Sequence, residues 1–241
     1  MLFDIHSHIL PATDDGANDI IESLHLLEMM QSQGITDCIA TPHFYPNEDN
    51  LEDFLQVTRS SFERLKKIVN ERKLPNIYLG CEMLYYEGIG KSDSLDDFRL
   101  NGSQFLLLEL YDGCITDTFF EDLNLLTDEQ GITPIIAHIE RYCDFKNYRK
   151  LLKFAKEKNI PVQINAVSFL IPSYIRVIKK IFKSVHTCLI ATDAHSVESR
   201  PPRMSEALRE VNLKFGREYR TRLMNASEYL FEKITEKDAD A

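Results

Sequence analysis

Seven short stretches of the chain are almost wholly apolar, rich in β-branched or aromatic residues, and bounded by polar or turn-forming residues, a pattern that predicts buried strands. They are Leu2–His6, Thr36–Thr41, Ile77–Met83, Gln104–Leu110, Thr133–His138, Pro161–Asn165 and Thr187–Thr192. Between most of them apolar positions recur at helical spacing. Ile20, Ile21, Leu24, Leu27 and Met30 mark a helix over Asp19–Gln33, with Gly34 placed to cap its end. Leu51–Lys73, Asp117–Gln130, Tyr148–Lys158 and Ser173–Lys183 repeat the theme, and Pro201–Gly216 and Arg217–Lys233 predict two terminal helices. The charged tail Glu236–Ala241 is expected to fray.

Strand followed by helix, recurring about seven times, predicts a parallel sheet covered by helices. Strands buried on both faces read as nearly continuous apolar runs, as Phe105–Leu108 and Ile135–Ala137 do. The expected fold class is α/β, with the sheet closed into a barrel. With 241 residues and no internal repeat or linker, one domain over 1–241 is expected.

Composition changes this picture little. Hydrophobic residues make up 44% and charged residues 27%, ordinary for a globular enzyme. No apolar stretch reaches the roughly 20 residues of a membrane span, and the start Met-Leu-Phe-Asp-Ile-His has no basic segment followed by an apolar one. A cytoplasmic, not membrane-embedded protein is expected. The formal charge of −10 argues against broad nucleic-acid binding but not against one small phosphate.

The five cysteines, 38, 81, 114, 143 and 188, are odd in number and lack a CxxC pair, so reduced core thiols are expected. Cys143 to Arg149 has the C-x5-R spacing of cysteine-dependent tyrosine phosphatases. The stretch CDFKNYR has no glycine, however, and a loop that wraps phosphate with successive N–H groups generally needs residues tolerant of positive φ.

The informative feature is where the metal-capable residues fall. His6 and His8 close the first strand, His43 follows the second, Glu82 ends the third, Glu109 the fourth, His138 the fifth, and Asp193 and His195 follow the seventh; Asp15 sits in the loop after the first. Parallel barrels gather all strand C-termini on one face, where their active sites lie, so these residues are expected to converge. Glu82 and Glu109 interrupt apolar segments where an unpaired carboxylate is costly to bury, and a metal removes that cost. Alone, an H-x-H pair or a strand-end glutamate means little; the set of nine means much more. His25 and His186 fit no such position and are expected on the surface or at caps.

Nine nitrogen and oxygen ligands exceed the needs of one ion, so two or three divalent ions are expected. Imidazole and carboxylate without thiolate suit manganese, iron or zinc. Three such ions against four carboxylates would leave an excess of about +2, matched to a hydroxide and a phosphate oxyanion. Arg141, three residues after His138, and Arg200, five after His195, are candidate phosphate-binding and catalytic residues, since arginine offers planar bidentate donors. Phosphoester hydrolysis by a metal-activated hydroxide, without a covalent phosphoenzyme, is the expected chemistry.

The segments DIHSHILP (4–11), DDG (14–16), ATPH (40–43), GCE (80–82), LLLEL (106–110), ITPIIAHIERY (132–142), QIN (163–165) and ATDAHSVESRPPRM (191–204) carry a resemblance over nearly the whole chain. The chain resembles the PHP (polymerase and histidinol phosphatase) superfamily, and within it the bacterial manganese-dependent protein-tyrosine phosphatases of capsule and exopolysaccharide gene clusters. The resemblance implies a distorted seven-stranded (β/α) barrel, a trinuclear centre with manganese the expected metal, and dephosphorylation of tyrosine on protein, typically the autokinase controlling polysaccharide export. It also implies His6, His8, Glu82 and Asp193 around one ion, Glu82, Glu109 and His138 around a second, and Asp15, His43 and His195 around a third, with Arg141 and Arg200 on the phosphate. Two alternatives stay open: a small-molecule phosphatase of the histidinol phosphate type, and a noncatalytic module that binds metal for stability.

Overall fold

The computed structural model describes residues 2–236, so the tail expected to fray lies, beyond Glu236, outside the described residues. Nine short strands, β1 (Phe3–Ser7), β2 (Asp37–Ala40), β3 (His43–Phe44), β4 (Asn76–Leu79), β5 (Glu82–Leu84), β6 (Phe105–Glu109), β7 (Thr133–Ile136), β8 (Val162–Asn165) and β9 (Cys188–Ala191), pair in parallel throughout. They form a three-stranded sheet, β1-β2-β4, and a six-stranded sheet, β3-β5-β6-β7-β8-β9. Seven helices, α1 (Ile20–Ser32), α2 (Leu51–Arg72), α3 (Asp117–Asn124), α4 (Tyr148–Glu157), α5 (Ile175–Ser184), α6 (Met204–Lys214) and α7 (Arg217–Thr235), lie where helical spacing predicted them.

Neither sheet has seven strands. The second expected strand, Thr36–Thr41, is followed past a break at Thr41–Pro42 by a further short strand, β3, and the third, Ile77–Met83, is broken in two at Gly80–Cys81. Pro42 has no N–H to offer a ladder. These two breaks are where the chain passes from one sheet to the other, and the hydrogen bonds Gly80 N to Ala40 O (2.9 Å) and Glu82 N to Pro42 O (3.1 Å) keep the crossing segments paired. At the far edge, Ser7 bridges Ala194 in parallel, and His8 N donates to Ala194 O at 2.8 Å.

Local chemistry fixes the helix starts. The Asp19 carboxylate accepts from Ile21 N and Glu22 N, Asn50 from Asp53 N, and Thr116 from Phe119 N, each satisfying N–H groups a helix cannot. The expected helix to Gln130 is α3 followed by one π-helical turn at Leu125–Glu129. Two apolar clusters lie on opposite faces of the sheets. The larger joins sheet and helices from Ile9 to Leu223. The smaller, built on Phe3, Ile5, Ile39, Phe105, Leu107, Ile135 and Leu189, is closed by Leu230 and Ile234 of α7. Strand alternation puts Glu109 on the same face of β6 as Phe105 and Leu107, so the carboxylate crowns an apolar column.

Candidate metal centre

All nine sequence-predicted donors come together at this end of the sheets. Glu82 is central. Its Oε1 lies 2.9 Å from His138 Nε2, and its Oε2 lies 3.1 Å from His6 Nε2, 3.3 Å from His8 Nε2 and 3.1 Å from His43 Nδ1. Asp193 Oδ1 stands 3.4 Å from His6 Nε2 and 3.6 Å from His8 Nε2. Glu109 approaches His138 at 3.4 Å and His43 at 3.7 Å. Asp15, on the open rim, lies 3.5 Å from His43 Nε2 and 3.3 Å from His195 Nε2. Three donor groups follow: His6, His8 and Asp193; His43, Glu82 and Glu109; and His8, Asp15, His43 and His195. Compared with the expected grouping, His43 and His8 each stand between two groups, and His138 reaches Glu82 and Glu109 from the side.

Local backbone aims these groups. His138 (φ 28°) and Asp193 (φ 52°), each two residues beyond a strand, sit at positive φ, an uncommon conformation that turns their side chains back over the sheet. The DDG segment has a steric reason. A Cβ on Gly16 would stand 2.2 Å from His8 O, so only glycine lets this loop close over His8.

Sequence reasoning missed the side chains that hold the donors in place. Asp14 accepts from His8 Nδ1 at 2.6 Å, from His43 N at 3.1 Å and from Gly16 N at 2.9 Å. The Gln163 carbonyl oxygen lies 3.2 Å from His6 Nδ1 and accepts from His138 N at 2.7 Å. Its amide donates to Asn165, which donates in turn to Asp193 Oδ2 at 2.6 Å. The Tyr142 hydroxyl lies 2.9 Å from His138 Nδ1 and accepts from Leu110 N. In each case one imidazole nitrogen is occupied, which leaves the other to face the cluster. A signal existed for Gln163: a fully buried amide inside an apolar strand must find partners.

Electrostatics confirm how tightly the donors are packed. Burial opposes ionisation of Glu82, yet the nearby His6 and His8 imidazoles and a hydrogen bond from His138 hold it well below the ordinary carboxylate range. Burial disfavours charge on His8 too, but Asp14 and Glu82 push it up to about 10, and Glu109 and Glu82 likewise push His138 up to about 9. His195 is pushed down to about 3 by burial and by the charge on His8. On the rim, burial and the charges of Glu109, Glu82, Asp15 and Asp14 raise the Tyr45 phenol above its usual range.

These residues fit bound cations. Among the described residues, seven side-chain atoms are buried without a hydrogen-bond partner, and three of them, Glu82 Oε2, His43 Nδ1 and His195 Nε2, belong to the cluster. Unsatisfied buried polar atoms are costly, and divalent cations satisfy oxygen and nitrogen lone pairs together. Arg141 and Arg200 border the same cluster, each donating through Nη2 to Asp193 Oδ2, at 2.6 and 2.8 Å. They line a pocket of about 180 Å³ with Asn165, Val167, Thr192 and Arg203. His25 and His186 are exposed and lie elsewhere.

Parallel α/β architecture with such a histidine and carboxylate cluster at the strand ends defines an α/β protein with a candidate metal centre. The chain belongs to the family described as capsular polysaccharide synthesis, CpsB/CapC, whose profile matches residues 2–230. It is similar to the tyrosine-protein phosphatase YwqE of Bacillus subtilis, 30% identical over 97% of this chain and 93% of the relative. It is similar also to the tyrosine-protein phosphatase CpsB of Streptococcus pneumoniae, 30% identical over 89% and 91%. A solved structure described as YwqE from Bacillus subtilis and CpsB from Streptococcus pneumoniae, metal-dependent tyrosine phosphatases, superposes with a TM-score of 0.83 at 27% identity, covering 96% of this chain and 95% of that one. Histidinol phosphate phosphatase from Lactococcus lactis, solved with zinc, L-histidinol and phosphate, shares the fold at a TM-score of 0.56 and 16% identity, over 88% and 93%.

Proposed function

We propose that this chain is a metal-dependent phosphatase that hydrolyses phosphotyrosine on protein. The observation that carries the reading is the buried donor cluster with its three unpartnered atoms, in a chain whose family members are named tyrosine-protein phosphatases. His6, His8, Asp15, His43, Glu82, Glu109, His138, Asp193 and His195 would hold two or three divalent ions, with Glu82 shared between them. Manganese is the expected metal, and the donor set also accommodates iron or zinc. The two sheets are read as arcs of one distorted barrel in a single domain, a reading supported by the Ser7–Ala194 bridge and the hydrogen bonds across the strand breaks. A bacterial tyrosine autokinase is the proposed partner substrate. Five free cysteines fit the reducing cytoplasm.

Ions bound there would lower the pKa of a water and offset charge on the phosphoryl oxygens. The chain's own residues do the rest. Each arginine spends one of its five N–H donors on Asp193, Arg200 Nη1 also standing 3.8 Å from Asp15 Oδ2, and keeps the others for phosphate oxygens at the pocket mouth. Asp14, Gln163 and Tyr142 keep imidazole faces turned inward. A tyrosine leaving group, with a pKa of about 10, departs without a dedicated acid.

Three outcomes are expected. Asp14→Asn and Gln163→Leu should each weaken metal binding by about 10–100-fold in competitive chelator titrations, the usual cost of losing a group that orients a ligand. Unchanged affinity in both would mean that these side chains are only structural. Because His8 and His138 hold protons in the metal-free protein, one each, loading metal at pH 7.5 should release at least about two protons per chain, read as buffer-dependent heats in calorimetry. Heats independent of the buffer would contradict this. Finally, Cys143→Ser should retain turnover within about twofold, since burial and Asp144 raise its thiol and a nucleophilic thiolate needs the opposite.

The reading itself is tested by comparing turnover of a phosphotyrosine peptide with that of histidinol phosphate by the metal-loaded protein. Higher kcat/KM on the peptide is expected. A clear preference for histidinol phosphate would assign the chain to small-molecule hydrolysis instead.

A further inference from the structure

The donors and arginines account for the phosphoryl group, but they leave open what receives the organic part of the substrate. Tyr45 lies two residues beyond His43, and the two rings stack with centroids 5.3 Å apart and planes 19° from parallel. Among the described residues, His43 is the only ring that Tyr45 stacks on, and the tyrosine is partly exposed. The arginines stand against Asp193, with Arg200 also 3.8 Å from Asp15, while His43 contacts Glu82, Glu109 and Asp15.

Tyr45 is also held firmly. Its N–H donates to Asp49 Oδ2 at 2.6 Å, and its carbonyl accepts from Glu48 N and Asp49 N, both at 2.9 Å. The preceding Phe44 points the other way, into Phe54 and Phe98, with centroids 4.9 and 4.5 Å away. Alternation along an extended segment therefore puts an anchored aromatic in the core at 44 and an aromatic at the mouth of the cluster at 45. An aromatic ring fixed in this way loses little freedom when another ring packs on it.

We propose that Tyr45 is the wall against which the substrate's phenyl ring rests, making this site prefer aryl over alkyl phosphomonoesters. The inference rests on the phosphatase reading of the same site. It assigns Tyr45 a binding role through its ring and not through its hydroxyl, so phenylalanine should serve as well.

The test uses the metal-loaded full chain with Tyr45→Ala, Tyr45→Leu and Tyr45→Phe, metal content being measured in each. Substrates are a phosphotyrosine peptide and its phosphoserine counterpart. Inhibitors are phenylphosphonate and methylphosphonate. Tyr45→Ala and Tyr45→Leu should raise KM for the phosphotyrosine peptide and Ki for phenylphosphonate about tenfold, with kcat little changed. The phosphoserine peptide and methylphosphonate should respond by less than about twofold, and Tyr45→Phe should match wild type throughout. Equal losses on aryl and alkyl ligands, loss in Tyr45→Phe as large as in Tyr45→Ala, or no change in any variant would each overturn the wall. Wild-type protein that fails to turn over the phosphotyrosine peptide would instead defeat the phosphatase reading, and the wall with it.

Discussion

Replacing Glu82 with glutamine should reduce turnover by at least about a thousandfold, close to 4 kcal/mol of transition-state stabilisation at about 1.36 kcal/mol per decade. Among the described residues, no other side chain is placed so centrally. Its two oxygens face four imidazoles, from His6, His8, His43 and His138, at 2.9 to 3.3 Å. Glutamine keeps the shape but turns one acceptor into a donor and removes the charge that offsets the cations. Metal content should fall in the same variant. A melting-temperature rise on adding metal, worth about 2.7 kcal/mol per site at a concentration of ~100 Kd, should appear in wild type and be largely absent in Glu82→Gln. The metal-free variant should still fold, since a neutral isostere in this pocket avoids the burial cost that opposes ionisation of Glu82. Full activity with a normal complement of metal would show that Glu82 is not the shared ligand.

The second large effect is expected at the arginines. Removing one donor aimed at transition-state charge typically costs ~10²–10³ in turnover, and each of Arg141→Ala and Arg200→Ala should fall in that range. Both guanidinium groups act on the same oxygen of Asp193, so the double variant should lose less than the product of the two single losses. Metal content should stay near wild type, because His6 and the cluster still neutralise Asp193. Lysine at either position should restore only part, a point charge being unable to make the bidentate contact. Near-normal turnover in both alanine variants would mean that phosphate is held without them and that their pairs with Asp193 are purely structural.

Much of this was legible in the sequence because of where polar residues interrupt apolar runs. Glu109 after Phe105–Leu108, and His138 after Ile135–Ala137, mark strand ends that a parallel fold brings together, and the nine expected donors do meet. The partition of strands was less legible. Thr36–Thr41 continues past Pro42 into His43–Phe44, and Ile77–Met83 crosses from one sheet to the other at Gly80, features that depend on pairing partners distant in sequence and not on local periodicity. The residues that hold the donors were harder still. Asp14 reads as the neighbour of Asp15, Tyr142 as a core aromatic and Gln163 as one polar residue in a short strand; only the fold places their hydrogen-bonding atoms against His8, His138 and His6. Tyr45 gave no signal at all, since its meaning comes from stacking on His43 beside the open rim.

The central claim is that these nine side chains form one multinuclear centre on which hydrolysis depends. Elemental analysis of purified, active protein tests it most directly, coupled to activity during removal and return of metal. Two or three divalent ions per chain are expected, with activity lost as a chelator strips them and regained when manganese is restored. Full activity in protein that carries at most one ion per chain would contradict the account.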